Sequence, residues 1–325
     1  MDYISVKEAA IKWGVSEVIA RKYCRQKRIP GAKHSNGTWL IPECAEKPKP
    51  MVSKRPKALI SPLAKKLIRQ KTKKNYHGLY DYIQINFTYS SSRMASNRLT
   101  REQVESIFRK GKICELFEPT KVSDVVEAMN HCVCIDYIID HLNEPLSHKL
   151  IMQLHYLLMF GTVDHRKRQV TPGVYREAGT VRRNRPMPPA EKIGDMLKRL
   201  IQSYESGKSN DLQEILDFHV RFEQIVPFDD GNGRVGRLIM FKECVRHGVI
   251  PFIIDDKRRS QYLDGIAKWP TNPLILTKVV AEAQARFARQ LRREDRRDTP
   301  QARFRNYGSS EGENDMEEAH NDENE

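Results

Sequence analysis

The sequence predicts a mostly helical main domain with one short β-hairpin, behind a small basic head of two helices and a hairpin. Three observations carry this. Apolar residues recur at helical spacing in one segment after another between Tyr76 and Gln290. The stretch 170–189 lacks that period and is rich in Arg, Gly and Pro, so it reads as an extended hairpin. The net charge of +14 is concentrated: residues 1–75 hold 19 Lys and Arg against 5 Asp and Glu, so the rest of the 325-residue chain sums to zero. Such a segment suits a polyanionic partner, and a solvated basic surface is the plain alternative.

In the head, Val6 to Trp13 makes a short helix with Val6, Ala9, Ala10 and Trp13 on one face, ended by Gly14. Ser16 can cap a second helix, Glu17 to Lys27, which with the residue after it carries Arg21, Lys22, Arg25, Lys27 and Arg28. Pro30-Gly31 stops it, and 33–41 reads as a hairpin turning at Asn36-Gly37. This layout over residues 1–45, ending in Trp39-Leu40-Ile41-Pro42, resembles the winged helix-turn-helix of excisionase and MerR-type DNA-binding domains. The resemblance implies DNA as partner through residues 1–45; a protein-docking appendage of the same shape is the alternative.

Residues 46–75, rich in Lys and Pro at 47–50 and 54–57, read as a basic linker that ends in a helical patch from Leu63 to Lys74. Helices are then expected over Tyr76–Tyr89, from Thr100, over Val122–Leu142, Ser147–Phe160, Glu191–Tyr204, Leu212–Ile225, Asn232–Arg246, Ser260–Lys268 and Leu274–Gln290. The one from Thr100 opens on a capping box, Thr100 with Gln103. The main domain is set at 76–295. Residues 296–325 end in an acidic run and are expected to be a disordered tail. No apolar run approaches the roughly 20 residues of a membrane helix, so no membrane partner is expected. The N-terminal residues show no secretory signal pattern, and the six cysteines show no metal-like spacing. They read as reduced core thiols of a cytoplasmic protein. The faces Lys192–Arg199 and the C-terminal helix allow a homodimer, beside the reading of a solvated surface.

One stretch organises the chain: Phe222 to Arg237, in which an apolar helix enters the polar turn Asp229 to Gly233 and a second helix leaves it. Such a turn offers backbone N–H groups to an anion at a helix N-terminus. Arg234 and Arg237 are three apart and share a helical face beside it. Asp230 is a hard oxygen ligand suited to Mg²⁺.

These residues resemble the Fic (Fido) signature His-Pro-Phe-x-(Asp/Glu)-Gly-Asn-Gly-(Arg/Lys)-x-x-Arg. Pro227, Phe228, Asp230, Gly231, Asn232, Gly233, Arg234 and Arg237 all match it. The resemblance implies an all-α Fic fold with a short hairpin flap, ATP and Mg²⁺ as ligands, and transfer of AMP to a protein hydroxyl. By it Gly231, Asn232 and Gly233 cradle phosphates, Asp230 holds the metal, Arg234 and Arg237 meet the outer phosphates, and Phe228 anchors the loop. The flap, 173–186, then docks the target protein.

Two positions depart from the pattern. The signature opens on His, the general base, and here that position is Val226. His219, seven residues upstream, reads as a packing histidine rather than its substitute. Many relatives also carry an inhibitory Glu that pairs with the second motif Arg; in register that position is Ala95, followed by Ser96. The resemblance therefore implies a nucleotide site with impaired or lost transfer, or a silent nucleotide-sensing regulator coupled to a DNA-binding head.

Overall fold

In the computed structural model, the described residues are 2–25, 28–35, 37–48, 60–73, 77–112, 120–177, 187–207 and 210–298. The chain divides into two compact units, Met1–Ala58 and Leu59–Glu325.

The first unit contains β1 (Tyr3–Ser5), α1 (Val6–Trp13), α2 (Glu17–Arg25), β2 (Lys33–Ser35) and β3 (Thr38–Pro42). Ser5 and Glu8 form a reciprocal capping box that starts α1, and Gly14 ends it at φ 61°. Val6, Ala9, Ala10 and Trp13 pack with Ala20, Cys24, Ile29 and Ile41, so the expected apolar face is the one buried. The strands pair antiparallel in the order β1-β3-β2, with Tyr3 opposite Pro42 and Lys33 opposite Leu40. β1 was not expected: three residues carry no readable alternation, and pairing with β3 is what makes them a strand. Residues 26, 27 and 36, which hold the expected end of α2 and half the turn, lie outside the described residues.

The second unit is helical: α3 (Pro62–Thr72), α4 (Leu79–Met94), α5 (Arg101–Lys110), α6 (Val122–Asp140), α7 (His148–Met159), α8 (Val163–Arg166), α9 (Ile193–Glu205), α10 (Leu212–Ile225), α11 (Asn232–His247), α12 (Arg259–Ala267) and α13 (Leu274–Asp298). α11 is its axis. From Val235 to Val245 every residue is buried. Helices α3, α4, α6, α7 and α10 pack around it. A helix enclosed on all sides shows no apolar stripe, only continuous burial. Its one interior ammonium, Lys242, is satisfied by Glu243 Oε1 at 2.7 Å and the Glu144 carbonyl at 2.6 Å.

Several boundaries differ from expectation. α3, read as the end of a linker, places Ala64 and Leu67 in the main core and belongs to the helical unit. α13 runs to Asp298, so residues 296–298 are helical rather than tail; 299–325 lie outside the described residues. Cys44 is exposed and Cys132 only half-buried, while Cys24, Cys134 and Cys244 are core thiols. Of the hairpin read at 173–186, residues 178–186 lie outside the described residues, and the described part contains no strand. The Thr100–Gln103 capping box starts α5 as expected. No helix among the described residues is long and apolar enough to cross a membrane.

Candidate functional site

The site is the junction between α10 and α11. α10 ends at Val226, whose backbone is left-handed (φ 48°, ψ 64°) and whose N–H donates to the Phe222 carbonyl. The chain then crosses Pro227 to Asp230 and enters α11 through Gly231 at φ 78°. Glycine is required here twice over. The backbone angle is one that L side chains rarely adopt, and a Cβ would stand 3.2 Å from Met159 Sδ. Asn232 locks the loop: its Oδ1 accepts from the Phe228 N–H at 2.9 Å and its Nδ2 donates to the Phe228 carbonyl at 2.8 Å. α11 carries no side-chain cap, so the N–H groups of its first turn are not taken by a capping side chain.

Phe228 is fully buried and stacks on His155 of α7, ring centres 3.7 Å apart and planes 8° from parallel. The Gly173 N–H donates to His155 Nδ1 at 2.9 Å, which leaves the ring proton on Nε2, facing the Asp230 carbonyl at 3.2 Å. Burial depresses the His155 pKa to about 4, so the ring is neutral at pH 7.

The two motif arginines part company beyond their shared face. Arg234 is clamped between carboxylates: Nη1 to Glu127 Oε2 on α6 and Nη2 to Asp230 Oδ2, both at 2.9 Å. Arg237 turns to α4, with Nε donating to Ser91 Oγ at 3.1 Å and Nη2 to the Ser91 carbonyl at 3.0 Å. Both guanidinium groups are almost completely buried. His131 of α6 feels both charges, and its Nδ1 meets Thr88 Oγ1 at 3.0 Å. Burial first, then the two arginine charges, push its pKa down to about 3.

Arg176 ties the junction to the segment before α9. Its backbone N–H donates to the Pro227 carbonyl at 2.9 Å, its Nε to the Val226 carbonyl at 2.8 Å, and its Nη2 to the Pro188 carbonyl.

The structure thus gathers Asp230 and Arg234 into one contact and places Gly231, Asn232 and Gly233 at the start of α11. Phe228 anchors the loop, and Asn232 spends its side-chain amide on that loop. Val226 is buried, and it bonds its surroundings through its backbone. His219 lies on α10 with Nε2 2.6 Å from the Tyr262 hydroxyl, its pKa pushed down to about 3 by burial. At the end of α4, Ala95 is exposed and Ser96 takes φ 71°; the helix meets Arg237 one turn earlier, at Ser91. Sequence reasoning missed Glu127, His155, Arg176 and Ser91. Only Arg176, inside the Gly173-Val-Tyr-Arg176 run, stood near a signal.

The Fic/DOC family model matches residues 145–244, which contain α7, α8, α9, α10 and most of α11. Protein adenylyltransferase Fic of Drosophila mojavensis is 30% identical over 185 residues, covering 54% of this chain and 34% of that protein. The chain spans about a third of the length of the curated relatives it matches. A Fic domain containing signaling protein from Bacteroides thetaiotaomicron aligns with TM-score 0.56 at 18% identity, over 70% of this chain and 94% of that one. A Fic family protein from Desulfovibrio desulfuricans aligns with TM-score 0.53 at 22% identity, over 76% and 79%. At these identities the solved structures speak for the fold. Residues 145–244 are thus similar to the Fic/DOC family, and the proteins that match this chain include ones named protein adenylyltransferase Fic.

Proposed function

We propose that this domain binds ATP with Mg²⁺ at the junction 226–237 and that transfer of AMP from it to a protein hydroxyl is impaired. The observation that carries the binding half is the start of α11. An uncapped first turn lies beside two guanidinium groups, and at Gly233 a Cβ would stand 3.0 Å from Arg237 Nη1. Phosphate oxygens suit such a cradle, and the backbone needs glycine there to come close. The Asp230 side chain is 48% exposed, so it can turn to a metal. Mg²⁺ commonly takes one or two carboxylates and completes its shell with phosphate and water. The ion would neutralise phosphate charge.

The chemical half fails at one atom. Transfer forms a bond from the target hydroxyl oxygen to the α-phosphorus, breaks the bond to the β-phosphate and releases pyrophosphate. The hydroxyl proton needs an acceptor, and the Val226 side chain has none. Target docking along the segment 173–186 belongs to the same reading, by family resemblance.

The test is transfer of labelled AMP to candidate proteins by the native chain and by Val226→His. A positioned base is worth about 10²–10⁴-fold, so the variant should label faster by at least about 100-fold. Equal labelling by the two chains would refute the reading.

A second reading, a nucleotide-sensing regulator that binds DNA, is favoured by the first unit. On α2, Ala20 and Cys24 face the core while Arg21, Lys22 and Arg25 are exposed, and exposed Lys33 opens the hairpin. Cations along one face of a short helix suit backbone phosphates.

A further inference from the structure

We infer that Glu127 is a resident competitor of the phosphate ligand, holding one edge of Arg234 and thereby weakening nucleotide binding at this site. The inference rests on the nucleotide-binding reading above and concerns the regulation of the same site.

Two carboxylates share Arg234, and they differ in how readily they can let go. Asp230 sits on a loop, and its side chain is about half exposed. It can leave the guanidinium and be solvated or take a metal at little cost. Glu127 is fixed in the middle of α6, and its side chain is 17% exposed. Separating it from Arg234 would leave a carboxylate poorly hydrated, which is costly. Burial already raises its pKa, and Arg234 is the first influence pulling it back. When a ligand arrives, Asp230 yields its edge and Glu127 keeps its own.

The incoming phosphate therefore meets a guanidinium whose charge is already matched. It also meets a carboxylate about one guanidinium width away. Like charges at that separation repel appreciably in a partly buried site, and salt screens them less than at the surface. The position that the family resemblance makes inhibitory is Ala95, just past the end of α4, which carries no carboxylate. Here the opposing carboxylate stands on α6 and acts on the first motif arginine rather than the second.

Calorimetric titration of the full chain with ATP and Mg²⁺ tests this. Native protein, Glu127→Gln, Glu127→Ala and Arg234→Ala are compared, each checked by thermal melting. Gln keeps the shape and removes the charge; Ala removes both, so a new amide contact cannot imitate the effect. Both Glu127 variants should bind more tightly, by roughly tenfold, and Arg234→Ala should bind less tightly than native. Unchanged or weaker binding in both Glu127 variants, with Arg234→Ala still impaired, overturns the competitor role while the nucleotide site stands. A purely structural ion pair would give that pattern together with a lowered melting point. If Arg234→Ala binds as well as native, or no chain binds, the nucleotide reading falls and this inference falls with it.

Discussion

At the scale of single residues, Val226 shows how a backbone can keep a conformation that its side chain does not favour. The left-handed region costs an L residue roughly 1–2 kcal/mol, and β-branched side chains are the worst suited to it. Histidine is among the residues enriched there. The backbone here favours Asn, Asp or His and carries Val, held by the Phe222 carbonyl behind it and by Arg176 on its own carbonyl. Ser96 shows the same mismatch without the burial. It follows α4 at φ 71° and is exposed. Ser96→Gly should stabilise the helical unit by about 0.5–1 kcal/mol, read as a rise in denaturant midpoint. A loss of stability would mean that the Ser96 side chain does more than cap.

At the scale of elements, the α7–loop–α11 layer depends on a neutral His155. Nδ1 receives the Gly173 N–H, so a proton cannot be added there without breaking that bond. The pKa is depressed from 6.5 in the unfolded chain to about 4 in the folded one. Its contribution to stability is therefore complete above pH 6.5 and is lost as pH falls through 6.5 toward 4, by up to about 3 kcal/mol. Chemical denaturation at pH 7.5, 5.5 and 4.5 should show the decline. His155→Gln should flatten part of it, leaving the share of His131 and His219, which are depressed in the same direction. An unchanged pH profile would show that another group governs acid sensitivity.

How much of this was legible follows from which contacts are local. The face of α1, the capping boxes and the Phe228–Asn232 pairing in the loop are set by neighbours within four residues, and sequence spacing reports such neighbours. Glu127 lies 107 positions before Arg234, and Ser91 lies 146 before Arg237. Nothing in their own surroundings distinguishes them from other residues of a helical surface, because packing α4 and α6 against α11 is what gives them a task. β1 is similar, a strand only by virtue of β3. α13 outran its expected end because Arg-rich helical sequence looks like a solvated segment until it is seen to continue the helix.

At the scale of the whole molecule, the chain is two compact units joined near Ala58. Each has its own apolar cluster, Val6 to Ile41 in one and Ala64 to Phe287 in the other. Fragments 1–58 and 59–325 should each fold, the second melting within a few degrees of the full chain. If the basic face of α2 meets DNA, salt-dependent retention of duplex DNA should follow the first fragment and be absent from the second. Retention by 59–325 alone would place the polyanion site elsewhere.

The enclosure of α11 bears on how this sequence could have come about. Gly231 fits against Met159, Asn232 closes the loop on Phe228, and Arg237 fastens α11 to α4. Gly231, Asn232, Arg234 and Arg237 are all buried in the bundle, so on the proposed reading losing one costs folding as well as binding. Position 226 is different: its hydrogen bonds run through the backbone, and exchange of its side chain leaves those bonds standing. If the proposed reading holds, a lineage released from selection for transfer could lose a base at 226 in one step while the buried loop residues stayed, retained by the stability of the bundle whether or not a nucleotide was still used.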